Sequence, residues 1–286
     1  MKEVFVSTAE KMAGVLSPEN LTRAVAAIHT EGYIVLHGVV DTAHLDVLQE
    51  RMLADLEKIL ARPDAPFNFN TGNVQQDAPP YAPFLFDDIL RNDIVIGVTK
   101  AVLGPNLKMS FYSGNTALPG GTRQPVHPDV AQLWPDLAHP TPAFGLVINV
   151  PVVDVSPANG STEFWPGSHH DTTYDIHGGS ARIPQEVLDR RAAVIPPFQP
   201  TIPRGSIVIR DIRMWHAGMP NHTDVPRPML AMIHWCSWWQ AGEIIVAPRE
   251  SEPFFQHPDL HFVTRYVDGD VDHTQNNQAY DLKLDR

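Results

Sequence analysis

Beyond Leu107 the chain becomes a succession of short β-rich runs cut apart by proline and glycine: 107–112, 124–130, 144–153, 206–209, 229–239 and 244–247. Proline has no N–H to give to a ladder and glycine weakens a strand interior, so each run is held to about one strand's length. That texture suits an antiparallel sandwich or a jelly roll. The 27 prolines among 286 residues fit the same loop-rich β architecture, and no repeat of fixed period is evident.

The first third has another texture. Ser17-Pro18-Glu19 is a helix start, with a capping serine and a proline where the missing N–H costs nothing. The spacing predicts a helix through Leu21, Val25 and Ile28 that stops near Gly32, then a strand over 33–36. Asp41 or Thr42 caps a second helix, whose Leu45, Leu48, Met52, Leu56 and Ile59 recur at helical steps. Glu50, Arg51, Asp55, Glu57 and Lys58 are its expected wet face, and a third helix is expected over 87–102, ending at Gly104. These helices are too apolar on one face to stand alone. The expected architecture is therefore mainly β with flanking α: one domain over 1–286, with helical support in 1–105, a β core in 106–250 and an extension in 251–286. Between the second and third helices, 62–84 carries amides, prolines, Phe67, Phe69 and Tyr81. Its aromatics favour a lid over a linker.

Composition closes several doors. Cys236 is the lone cysteine, so no intramolecular disulfide and no cysteine-based zinc site can form. A net charge of −12 argues against binding a nucleic-acid backbone. The longest uncharged apolar run, 143–153, is too short to span a bilayer, and the N-terminus lacks a signal-like apolar region. A soluble cytoplasmic protein is expected. The assembly left open is a homodimer, with Phe254–Arg286 or the loop reaching across.

Three groups carry chemistry. In a strand, i and i+2 share a face, so His127 and Asp129 of His127-Pro128-Asp129 can aim an imidazole and a carboxylate at one point. His169-His170-Asp171 and His257-Pro258-Asp259 share the pattern, so it is weak alone. His216 follows the run 206–209. Two histidines and a carboxylate form the facial triad of non-haem Fe(II), although a core histidine beside Trp215 is the blander reading. Arg227 opens the run 229–239, where a buried guanidinium needs a carboxylate partner and can grip one bidentately; a surface arginine after a turn is the blander alternative.

The order His-x-Asp, long gap, His, short gap, Arg resembles the phytanoyl-CoA dioxygenase family of Fe(II)/2-oxoglutarate-dependent oxygenases. The likeness covers roughly 31–239. It includes Glu31-Gly32-Tyr33 before a long helix, the stretch 159–169 with Asn159-Gly160 and Pro166-Gly167-Ser168-His169, and the block from His216 through Asn221 to Arg227. The resemblance implies a double-stranded β-helix, a cupin-like jelly roll, with N-terminal helices packed outside. It selects His127, Asp129 and His216 as catalytic metal ligands, because His169 lies in the turn between them and His257 follows the distal histidine. It gives Arg227 the distal carboxylate of 2-oxoglutarate and Gln124 the 1-carboxylate end, with Thr162 as a further candidate for the distal carboxylate. Fe(II), 2-oxoglutarate and O2 are the implied cofactors. Since Asp129 is present, halogenation is disfavoured.

The expected substrate is a small, largely apolar specialised metabolite, polycyclic or terpenoid-like. The expected contacts are Phe67, Asn70, Tyr81, Met109, Phe111, Trp215, Met219 and Trp238. The rivals are an acyl-CoA hydroxylase, a cupin-like metalloenzyme without 2-oxoglutarate and a jelly-roll binding module. A CoA substrate would want basic residues at the pocket mouth.

Overall fold

The computed structural model describes residues 1–69, 72–174, 176, 181–240, 242 and 244–279. The N-terminal third contains β1 (Glu3–Phe5), α1 (Thr8–Ala13), α2 (Pro18–Glu31), β2 (Tyr33–His37) and α3 (Thr42–Leu60). It continues with β3 (Asn73–Gln75), α4 (Asp87–Leu90) and α5 (Asp93–Leu103). The remainder carries β4 (Leu107–Ala117), β5 (Gly145–Pro151), β6 (Glu163–Phe164), α6 (Gln185–Val194), β7 (Ile207–Asp211), β8 (His216–Ala217) and β9 (Arg227–Trp235). It ends with β10 (Ile245–Pro248), β11 (Leu260–Phe262) and β12 (Thr264–Val267).

The major sheet has eight strands in the order β1-β2-β7-β5-β9-β4-β11, with β3 added beside β4. Its centre is antiparallel and its two outermost pairs, β1–β2 and β4–β11, are parallel. The opposing layer of the roll is short: β6 pairs with β8, and single bridges join His127 to His216, Phe164 to Phe198 and Val155 to Ile202. Strand alternation divides the central strands between two environments. Leu146, Ile148 and Val150 of β5, Ile207 and Ile209 of β7, and Leu230 and Met232 of β9 join the largest apolar core, under the helices. Val147, Asn149, Arg210, Arg227, Met229, Ala231, Ile233 and Trp235 line a cavity on the other face. Each fully buried aliphatic chain on the helix side is worth about 1.5–3 kcal/mol.

The helices follow their sequence signals. Ser17 caps α2 by accepting from Asn20 N, and Gly32 ends it at φ +85°. In α3 the periodic residues Leu45, Leu48, Met52, Leu56 and Ile59 are all buried. Two expectations need correction. The helix expected over 87–102 is broken, because Asn92 leaves the helical path and its side chain caps a new start by accepting from Ile94 N and Val95 N. Asp55, expected on the wet face of α3, is fully buried. It binds Arg51 at 2.7 Å and His273 at 2.8 Å, so the C-terminal segment covers that face. Helix α6 and the strands β3, β11 and β12 lie outside the runs picked out by sequence.

The run 124–130 is extended but is no strand. Pro125 and Pro128 remove two donors, and the segment is held opposite 212–218 by separate bonds. Gln124 N donates to Gly218 O, His127 N to His216 O and Asp129 N to Ile212 O. Residues 66–69 and 72–76 are built into the sheet edge: Phe67 bridges Val74, and β3 pairs with β4. Among the described residues no helix is long and apolar enough to cross a membrane.

Candidate metal centre

His127, Asp129 and His216 come from the two facing segments just described, and their ligand atoms lie within 4.8 Å of one another. The backbone sets the tautomers. His127 Nδ1 is 2.8 Å from Pro125 O and His216 Nδ1 is 3.1 Å from Met214 O. A carbonyl can only accept, so both Nδ1 atoms carry the proton and each Nε2 presents its lone pair, as a metal-ligating imidazole must. Burial lowers both imidazole pKa values, that of His216 to about 3, so both rings are neutral at physiological pH. Asp129 is held as a carboxylate, its pKa down to about 2, because the Arg210 guanidinium, by its charge and its hydrogen bond, outweighs the opposing cost of burial. Arg210 Nη2 donates to Asp129 Oδ2 at 2.6 Å, while Oδ1 lies 3.5 Å from His216 Nε2. Two neutral imidazoles and one ionised carboxylate on one spot fit a divalent iron with open positions.

Arg227 lies at the start of β9 and is 2% exposed. Its Nη2 donates to Gly160 O at 2.7 Å and its Nε to Asn159 O at 3.4 Å. Gly160 sits at φ +76°, and a Cβ there would run into the Met219 carbonyl, so this turn needs glycine to bring its carbonyl to the arginine. The carboxylate partner expected for Arg227 is absent among the described residues, and its Nη1 is buried with no partner. Burial alone lowers its pKa to about 10. A buried guanidinium with a vacant donor, lining the cavity that contains the three candidate ligands, fits an external carboxylate.

That cavity is about 650 Å³. Gln124 and Thr162 both line it, and Gln124 Oε1 accepts from Gly218 N. The expected substrate contacts divide. Phe111 lines the cavity, but Met109 packs in the helix-side core. Two residues apart, they should share a face; a register shift between them reverses the alternation. Phe67 packs on Leu56, Ile59 and Val74 instead. Tyr81 accepts from Arg51 at 2.9 Å and belongs to the Asp55 cluster. Trp215 packs beside Trp165 and lines a separate pocket. Trp238 is 63% exposed, and Trp239, stacked on Trp235, lines the cavity in its place. Met219 is absent from the cavity wall, and Asn70 lies outside the described residues.

Sequence reasoning missed several wall residues: Phe69, whose ring centroid is 4.5 Å from that of His127, and Asn73, Asn115, Asn149 and Arg210. The signal for those on β5 and β7 was present in the strand alternation, since Asn149 and Arg210 interrupt otherwise apolar runs.

The sequence profile of phytanoyl-CoA dioxygenase (PhyH) matches residues 28–229. Dioxygenase af480 from Aspergillus fumigatus is 26% identical over 212 residues, which cover 72% of this chain. The chain spans 63% of that relative's length. Two solved structures share the jelly-roll fold. EctD from S. alaskensis, determined with 2-oxoglutarate and 5-hydroxyectoine, superposes with a TM-score of 0.58 at 19% identity, covering 77% of this chain and 76% of its own. AviO1 from Streptomyces viridochromogenes Tue57 superposes with a TM-score of 0.58 at 18% identity, covering 79% and 99%.

Proposed function

The chain belongs to the phytanoyl-CoA dioxygenase family, and on that premise we propose that it is an Fe(II)/2-oxoglutarate-dependent dioxygenase of a small, largely apolar specialised metabolite. The observation that carries the reading is the convergence, in one cavity, of the His127–Asp129–His216 set and a buried Arg227 whose Nη1 has no partner among the described residues. His127 and His216, through Nε2, and Asp129 would hold the metal. Arg227 anchors the far carboxylate of the cosubstrate, Thr162 stands beside it, and Gln124 serves the 1-carboxylate end. Bound there, Fe(II) with 2-oxoglutarate and O2 would supply a hydrogen-abstracting oxidant, with succinate and CO2 as co-products.

The rest of the wall binds and shapes. Phe69, Phe111, Trp235 and Trp239 give apolar faces for a ring system, and Phe69 covers His127 from solvent. Asn73, Gln75, Asn115 and Asn149 supply hydrogen bonds that fix its orientation. An acyl-CoA substrate is not favoured: the cationic side chains among the described wall residues are Arg210 and Arg227, both buried, and neither sits at a mouth to meet phosphates.

The test is anaerobic titration of Fe(II)-loaded protein with 2-oxoglutarate, following the visible charge-transfer band of a chelated 2-oxo acid. The band is expected in wild type and absent in His216→Ala. Iron binding without an oxo-acid band would favour a cupin-like metalloenzyme that does not use 2-oxoglutarate.

A further inference from the structure

Arg210 stands on the cavity face of β7 and is 5% exposed. Two of its guanidinium nitrogens are accounted for: Nη2 donates to Asp129 Oδ2 and Nε to Asn149 Oδ1, at 2.6 and 3.2 Å. The third, Nη1, is buried and has no partner among the described residues. With the plane of the fork fixed by Asn149 and Asp129, Nη1 cannot turn away to find one, and a buried donor left unpaired is costly.

The same feature marks Arg227. The two arginines belong to opposite ends of one cavity. Arg210 is paired with Val147, and Val147 with Ile233, six residues along β9 from Arg227. Asp129 ties Arg210 to the metal end, while Asn159 and Gly160 tie Arg227 to the other. Apart from the two histidine ligands, Asp129, Arg210 and Arg227 are the ionisable side chains among the described wall residues. Asp129 offsets one guanidinium, so the wall keeps a net positive charge with a vacant donor at each end. That pattern suits a ligand with a carboxylate at each end, one of them beside the metal.

We infer that Arg210 bridges Asp129 and the cosubstrate: Nη2 holds the carboxylate ligand by one oxygen, and Nη1 donates to the 1-carboxylate of the bound 2-oxo acid. This inference rests on the reading given under Proposed function. It makes Arg210 a cosubstrate-binding residue distinct from Arg227, and it predicts that the two answer to different ends of the same molecule.

Pyruvate separates them, because it keeps the 2-oxo acid end and lacks the distal carboxylate. Wild type, Arg227→Met, Arg210→Met and Arg210→Lys are loaded with saturating Mn(II), and the dissociation constants of 2-oxoglutarate and pyruvate are measured by calorimetry. Metal affinity is measured separately, and the visible band is recorded with Fe(II) under anaerobic conditions. Arg227→Met is expected to weaken 2-oxoglutarate and leave pyruvate near its wild-type value. Arg210→Met is expected to weaken both acids by the same factor, about 10- to 100-fold for one charge-assisted hydrogen bond, and to shift the band. Arg210→Lys, which keeps the charge and loses the fork, is expected to fall between; it carries the test if Arg210→Met does not fold. Unchanged affinity for both acids at saturating metal overturns the inference, including the case in which only metal affinity falls, since Arg210 would then serve Asp129 alone. Failure of wild type to bind either acid overturns the proposed function instead.

Discussion

Leu146, Ile148 and Val150 of β5 point under the helices, whereas Val147 and Asn149 of the same strand face the cavity. Strands β7 and β9 divide in the same way. The helix-covered face is mostly aliphatic, and a polar residue on it, His234, is satisfied by Thr99 Oγ1 at 2.9 Å. The cavity face holds two buried arginines, each with one donor unsatisfied. Backbone, register and burial are nearly shared between the two, so the difference lies in what each face is completed by. Protein atoms complete the first. The second is left for a metal and a dianion to complete.

Four experiments would break or sharpen that contrast. The largest effect is expected at the metal: His216→Ala removes one of three ligands and should abolish Fe(II) retention, measured by metal analysis after gel filtration, while the fold persists by circular dichroism. Next, Arg227→Met should raise the 2-oxoglutarate dissociation constant by at least about 100-fold, since it removes a charge-assisted grip. Its melting temperature without ligand should be no lower than wild type, because the substitution replaces a cation without a carboxylate partner by an apolar chain of similar length. A marked loss of stability there would mean that the carbonyls of Asn159 and Gly160 already satisfy the arginine.

The opposite signature is expected on the other face. Leu230→Ala should cost about 2–5 kcal/mol in chemical denaturation and leave 2-oxoglutarate affinity unchanged, although Leu230 is only three residues from Arg227. The smallest effect concerns pH. Burial lowers the pKa of His216 and His234 to about 3 and of His169 to about 4, from 6.5. Below pH 6.5 the unfolded chain therefore binds protons that the folded chain refuses, and stability should fall as pH drops toward 4. His234→Phe should flatten that slope by up to about 1.4 kcal/mol per pH unit, read from melts across pH 4–7. An unchanged slope would show that His234 is not a source of it.

The helices were legible because their signals are local. Ser17, Gly32 and the spacing of Leu45 to Ile59 act within a turn or two of themselves, and the structure keeps them. The break at Asn92 was legible too, in a capping residue followed by Asp93, but the apolar run around it masked the signal. Asp55 was misplaced because amphipathic spacing reports which side of a helix is polar, not whether a distant segment covers that side. His273 lies 218 residues away and arrives through the C-terminal segment.

For the centre, the resemblance of the order His-x-Asp, long gap, His, short gap, Arg to the phytanoyl-CoA dioxygenase family picked out His127, Asp129, His216 and Arg227, since residue types and their order survive in the chain whatever the fold does between them. The strand expected at 124–130 was wrong, yet the pairing of the two ligand segments still brings His127 and Asp129 together, through single bonds spaced around two prolines. The substrate wall was poorly legible. One register shift near Ser110 separates Met109 from Phe111, and aromatic residues serve core and cavity equally well.

The sequence by itself determined the elements with local causes, the division of each strand into alternating sets and the identity of the candidate ligands. The tertiary structure decided which set faces a core and which a cavity, that Arg227 is left without a carboxylate among the described residues, and that Arg210 reaches Asp129 across 81 positions of chain. The physical reason is range: caps and periodicity are set by neighbours within a few residues, whereas the satisfaction of a buried charge depends on what the whole fold brings within 3 Å of it.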